Sequence, residues 1–195
     1  ISVSTWFLFF IFIERIGEQA LAASNIGRTL FSILAIPGIA LGTTTTSMIS
    51  NLIGEGNKNM VIHFLKKILL INGIITIPII LSIALLAKEF ASVFTTDTDL
   101  ILTTVPVIQV ISVSLIFFGI SNIIFNAVSA TGNTKIAFII ELVVLAFYIS
   151  YIYFTTIIIH SPVAIVWFAE YIYWIMIGII SFLYLKKGNW GKIKI

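Results

Sequence analysis

The sequence predicts an all-α bundle that crosses a membrane six times, and three observations carry that expectation. Hydrophobic residues make up 59% of the 195 and charged residues only 10%, where a soluble domain carries about 25% charged. A surface so poor in charge suits lipid. The apolar residues also fall into six runs, most of them close to or beyond the roughly 20 residues a helix needs to cross about 30 Å of hydrocarbon. Charges, finally, collect in the breaks between runs. Barrel strands would alternate polar and apolar residues instead.

The first run, residues 1–16, is apolar from its start and ends in Glu14-Arg15-Ile16-Gly17-Glu18. It is short for a full span, and neither a basic leader nor a small-residue cleavage site marks it as a signal peptide. The chain is expected to start inside a helix, as a piece of a longer protein. The second run, residues 20–53, is too long for an upright span and carries Pro37-Gly38 in its middle, where a kink is expected. The third, residues 60–94, has a second expected kink at Pro78. Thr95-Thr96-Asp97-Thr98-Asp99 follows, with side chains suited to capping the next helix.

The fourth run, residues 100–129, contains Pro106 and breaks at Thr131-Gly132-Asn133-Thr134. The fifth, residues 136–159, stops at His160-Ser161-Pro162. The sixth, residues 163–185, leads into a basic tail from Lys186 to Ile195. Together they make one compact unit over residues 1–195.

Charge placement orients the bundle. One side collects eight lysines: Lys58, Lys66, Lys67, Lys135, Lys186, Lys187, Lys192 and Lys194. The other has Arg15 and Lys88, set among Glu14, Glu18, Glu89, Asp97 and Asp99. Cytoplasmic loops carry the excess of Lys and Arg, so the lysine side is expected to be cytoplasmic. An even number of crossings then puts both termini there, in the plasma (inner) membrane.

Ionisable and amide groups within spans are costly and mark functional positions. Depth along each run, at about 1.5 Å per residue, suggests partners. Arg28 lies about 12 Å below the outer end of its run, level with Glu170 and Gln109, so pairing of Arg28 with Glu170 or Gln109 is expected. Glu141 lies about 10 Å above the inner end, level with Asn126, its expected hydrogen-bond partner and a candidate proton carrier's neighbour. Asn122 sits one turn higher on the same face as Asn126. For all six, interhelical hydrogen bonding is the alternative to a place on a transport pathway. The hydroxyls of Thr43 to Ser47 and Ser50 suit helix packing. Trp167, Tyr171, Tyr173, Trp174 and Trp190 read as interfacial belts.

Catalytic signatures are absent: there is no HExxH, GxSxG or phosphate-binding loop, and Gly54-Glu55-Gly56-Asn57 reads as a turn. With no cysteine, and His63 and His160 far apart, no metal set is expected. Lysine clusters without interleaved aromatics give no nucleic-acid surface; anionic headgroups suffice as their partner.

Four stretches carry a family likeness. Gly17-Glu18-Gln19-Ala20-Leu21-Ala22-Ala23-Ser24-Asn25-Ile26 resembles the start of the eighth helix of multidrug and toxic compound extrusion (MATE) transporters. Ile36-Pro37-Gly38-Ile39-Ala40-Leu41-Gly42, running on to Ser50-Asn51-Leu52-Ile53-Gly54-Glu55-Gly56, is similar to that helix's bend and exit. Val128-Ser129-Ala130-Thr131-Gly132-Asn133-Thr134 resembles the turn after the tenth helix. Trp167-Phe168-Ala169-Glu170-Tyr171-Ile172-Tyr173-Trp174, with Lys187-Gly188-Asn189-Trp190, resembles the last helix and tail.

The resemblance implies the C-terminal lobe, helices seven to twelve, of a two-lobed antiporter that exports amphipathic, often cationic, compounds in exchange for Na⁺ or H⁺. The N-terminal lobe, membrane lipid and a small organic substrate would be its partners. Some members carry acids in helices seven and ten; the matching positions here, about Ser2 and Ile120, are not ionisable, which shifts the expected coupling site to the other lobe. A lipid-linked oligosaccharide flippase of the wider superfamily would show a more cationic cavity, and a non-transporting structural membrane subunit is the other alternative. One lobe alone is expected not to transport, since alternating access moves one bundle against another. Single cysteines at Lys58 and Asp97 should be labelled by an impermeant reagent from opposite sides of the membrane; labelling of both from one side would overturn the topology.

Overall fold

The computed structural model describes residues 2–187, with side chains from residue 5 onward. The expectations for Ser2, Trp190 and the tail beyond Lys187 lie outside these described side chains. Among the described residues every regular element is helical: α1 (Ser2–Glu14), α2 (Glu18–Leu34), α3 (Ile36–Gly54), α4 (Val61–Leu85), α5 (Ala87–Phe94), α6 (Thr98–Ala130), α7 (Thr134–Tyr153), α8 (Val163–Val166) and α9 (Ala169–Lys187). Four stretches are long and apolar enough to cross a membrane: Lys58–Leu85, Thr98–Ala130, Thr134–Ile158 and Val163–Lys187. The bent pair α2 and α3, taken as one span, makes a fifth, and Thr5–Glu14 of α1 is a shorter apolar helix; the six expected crossings are thus matched by four or five among the described residues. The chain is an all-α membrane bundle.

Local chemistry sets the boundaries. Asp97 caps α6 as its residue type predicts, its Oδ1 accepting from the amides of Asp99 (2.9 Å) and Leu100 (3.4 Å). Asn133 does the same for α7, accepting from the Ile136 amide at 3.3 Å. Between them Gly132 takes φ 80°, a left-handed turn that glycine adopts without a Cβ penalty.

Two breaks differ from expectation. The bend in the second run, 45°, falls at Ala35 rather than at Pro37-Gly38. A proline ring clashes with the preceding turn and withholds a donor from it, so the discontinuity moves N-terminal of the ring and Pro37 becomes a first-turn residue of α3. In the third run the helix continues through Pro78 and stops instead at Leu86. There α5 turns to bury Ala87 and Ala91 against Leu30, Ile83 and Ile108.

Helix α6 is the axis of the molecule. Its 33 residues extend about 50 Å, and α2, α3, α4, α5, α7, α8 and α9 all pack on it. Lipid gives helices no hydrophobic drive to associate, so close backbone approach and interhelical hydrogen bonds must hold them. Glycines supply that approach. A Cβ on Gly38 would lie 2.9 Å from Phe118 Cε1; on Gly42, 2.9 Å from Asn126 Nδ2; on Gly119, 2.7 Å from Asn72 Nδ2. At Gly178 of α9 a Cβ would collide with the Ser121 hydroxyl and lie 3.2 Å from Ser121 Cβ.

Gly178→Leu should therefore force α9 off α6 and destabilise the bundle by about 1–3 kcal/mol, the usual cost of overpacking. Gly73→Ala, whose Cβ would meet only Ile77 Cδ1 at 3.6 Å, should leave stability unchanged or raise it slightly through helix propensity. Thermal unfolding of the detergent-purified variants distinguishes the two.

Candidate functional site

Two polar clusters interrupt the apolar interior, and one charged side chain, Arg28, stands at the surface of α2. The deeper cluster is built on Glu170, in the first turn of α9. The side chain is 3% exposed. Its Oε1 accepts from the Tyr148 hydroxyl of α7 at 3.0 Å and its Oε2 from the Trp174 indole N–H at 2.9 Å. Trp174 stands four residues on, the spacing at which helix side chains meet. Tyr148 comes from the antiparallel neighbour.

Beside the carboxyl lies a cavity of ≈ 40 Å³ lined by Thr5, Trp6, Tyr148, Glu170, Tyr173 and Trp174. A water needs about 10–15 Å³ measured the same way, together with polar partners, so this cavity accommodates water or a small cation against the acid. Edge-on aromatic pairs wall it: Tyr148 with Tyr173 at 5.5 Å, Tyr173 with Trp174 at 4.8 Å, and Trp174 with Phe118 at 4.7 Å. Such contacts each contribute about 0.5–1.5 kcal/mol beyond burial and fix the rings that aim the donors. Among the described residues no three of His, Cys, Asp and Glu converge. A single carboxylate flanked by two donors supplies none of the additional oxygen ligands that a cation such as Ca²⁺ takes, 6–8 of them, and suits a proton.

The second cluster joins α3 to α6. Thr46 donates to Asn126 Oδ1 at 3.0 Å, Asn126 Nδ2 donates to Asn122 Oδ1 at 3.2 Å, and Asn122 Nδ2 donates to the Gly38 carbonyl at 3.1 Å. The chain of bonds ends one turn past the bend at Ala35. Gly42 makes room for it, since any side chain there would strike both amides.

The Arg28 guanidinium lies 4.8 Å above the Phe10 ring, and the residue is exposed.

Several expected partnerships are not formed. Arg28 pairs with neither Glu170 nor Gln109. Glu170 turns into the α7–α9 interior, Arg28 points out from α2, and Gln109 is exposed on α6. Equal depth on a helix leaves azimuth open, and here the azimuths diverge. Asn126 does not meet Glu141, because α6 turns that amide toward Thr46 of α3. Glu141 is half-buried on α7. The aromatic belt also dissolves in part: Trp167 is 1% exposed, packs on Phe9 at 4.7 Å and donates to Ser24 Oγ at 3.0 Å. Tyr173 is buried as well.

Tyr148→Phe should leave a buried carboxyl oxygen without its donor, a loss of about 1–3 kcal/mol. The expected readout is a lower unfolding temperature in detergent with the helical content of the folded protein unchanged.

The family model MatE matches residues 1–154. A curated relative, described as a probable multidrug resistance protein NorM from Thermotoga maritima, is 23% identical over 118 residues, 60% of this chain and 25% of its own length. Two solved transporters superpose on the whole chain at 14% identity. One is described as a MOP superfamily transporter from Pyrococcus furiosus whose binding pocket has reverse polarity (TM-score 0.86, 43% of that chain). The other is described as an outward-facing multidrug resistance MATE family transporter of the MOP superfamily (TM-score 0.87, 44% of that chain). The chain thus spans a quarter to less than half the length of these proteins, the extent of a partial lobe. With the match covering most of its helices, this chain belongs to the MatE family of membrane transporters.

Proposed function

We propose that this chain is the C-terminal lobe of a secondary antiporter that exports amphipathic organic compounds, drugs among them, in exchange for Na⁺ or H⁺. It would work in the plasma membrane with both termini in the cytoplasm, as the lysine bias favours, against an N-terminal lobe of matching size. Family membership and the coverage of under half of the solved relatives support the division into lobes.

The observation that carries the coupling is Glu170. Among the described residues it is the one buried acid, held by two donors from two helices, with a cavity of ≈ 40 Å³ at its side. A proton or cation arriving there changes the charge at the joint of α1, α7 and α9. A differential interaction of that kind is what an ion needs to bias one arrangement of a transporter over another. Glu170 thereby takes the role that sequence depth suggested for Glu141. The Asn122–Asn126–Thr46 chain, anchored beside the bend, would transmit movement of α3 to α6.

In the full transporter reconstituted in vesicles, Glu170→Gln should lower ion-gradient-driven dye efflux by roughly 5- to 150-fold, the span of typical site-to-site coupling. Equilibrium dye binding should survive. Normal efflux with unchanged ion dependence would remove Glu170 from the coupling mechanism.

A further inference from the structure

Arg28 lies in α2, half of the bent α2–α3 pair that together is apolar enough to enter a membrane, and a charge at that depth must be neutralised or hydrated. Among the described residues its contact is with the Phe10 ring, 4.8 Å from the guanidinium carbon to the ring centre. The edge, with its fork of N–H donors, is left for an acceptor. That edge matches carboxylate, sulfonate or phosphate geometry.

The surroundings are those of a binding wall. A cavity of ≈ 350 Å³ lies on one side of Arg28, floored by Phe31 and Phe118 with Ser32 at its rim, and one of ≈ 370 Å³ on the other, lined by Phe10 and Asn25. Trp6 borders both. Exposed polar side chains recur on α2 at helical spacing, Asn25, Arg28, Thr29 and Ser32, and again on α3 at Thr43 and Ser47. The hydroxyls among them donate to carbonyls of their own helix, which leaves Asn25 and Arg28 as the side chains with polar groups free to meet a ligand.

We propose that Arg28 binds the anionic group of an amphipathic compound, a carboxylate, sulfonate or phosphate, whose apolar body occupies the aromatic cavities flanking it. The inference rests on the export reading above and assigns a charge preference to the cleft. It runs against the often cationic cargo that family resemblance implies. A guanidinium edge gives the anion two parallel hydrogen bonds, and the rings of Trp6, Phe10 and Phe31 give its body a flat apolar seat.

The test uses the full transporter in a neutral maltoside detergent and two fluorescent probes with the same body and opposite charge, 1-pyrenebutyrate and 1-pyrenebutyl-trimethylammonium. Wild type should bind the anion about tenfold more tightly, the ratio that one good charge-assisted contact produces. Arg28→Gln should abolish the preference by weakening the anion alone, and Arg28→Lys, which keeps the charge without the fork, should retain part of it. Thermal unfolding of both variants without probe separates binding from folding. Preference for the cationic probe, or anion affinity within twofold of wild type in Arg28→Gln, overturns the site. So does a large fall in probe-free stability in both variants, which would mark Arg28 as the partner of an internal carboxylate. Displacement of the probe by phosphatidylglycerol, with loss of that co-purifying lipid in Arg28→Gln, assigns the guanidinium to a lipid headgroup and also overturns it. Arg28-dependent anion binding without any ion-driven efflux would sink the export reading and keep this site. Efflux with charge-blind binding would do the reverse.

Discussion

In hydrocarbon, where neighbouring helices gain nothing from hiding apolar surface, the distance between backbones decides whether a bundle holds together. Here that distance is set around α6. Gly38 and Gly42 of α3, Gly178 of α9 and Gly119 of α6 itself each occupy a point where a methyl group would strike the facing helix. The polar features depend on the same approach. Asn122 reaches the Gly38 carbonyl because α3 lies close enough, and Ser50 reaches the Ala130 carbonyl on the same seam. Space and hydrogen bonding are therefore one constraint seen twice.

Glu170 and Arg28 show two ways of carrying an ionisable group at membrane depth. Glu170 is enclosed, with both oxygens assigned to donors and its pocket walled by rings. Arg28 is open, resting on one ring with its edge turned outward. They share a wall: Trp6 lines both the cavity beside Glu170 and the two cavities beside Arg28. The space beside the acid fits only a small species, and the space beside the guanidinium fits an organic body. That division of labour follows from cavity size: ≈ 40 Å³ beside the acid against ≈ 350 and ≈ 370 Å³ beside the guanidinium.

Much of the architecture was legible in the sequence because lipid imposes a simple rule on run length. The turns at Gly56 and Gly132, the caps of Asp97 and Asn133 and the stop before Pro162 all follow from residue type. Pairings were less legible. Depth is a one-dimensional coordinate, and it placed Arg28 level with Glu170 while saying nothing about which way each faced. The same coordinate, applied to Tyr148, would have put its hydroxyl near Glu170, and the four-residue step to Trp174 was in plain view. Trp174, near its span's end, reads as interfacial, and Tyr148 in mid-span carries no motif that marks it as a donor. The break at Leu86 carries no proline or glycine. It arises from the tertiary fit of Ala87 and Ala91, which no local signal announces.

The glycine seam around α6 also bears on how such a lobe drifts through evolution. Its outward side chains, Leu70, Ile74, Phe138 and Phe147 among them, face a solvent that accepts any apolar shape, so they are free to exchange among the large hydrophobics without penalty. The inner seam tolerates only the smallest residues. Selection then acts on an absence of bulk at a few points instead of on the identity of most positions. Two chains can share 14% of their residues and still superpose at a TM-score of 0.86, as a fold held by a few close approaches would allow.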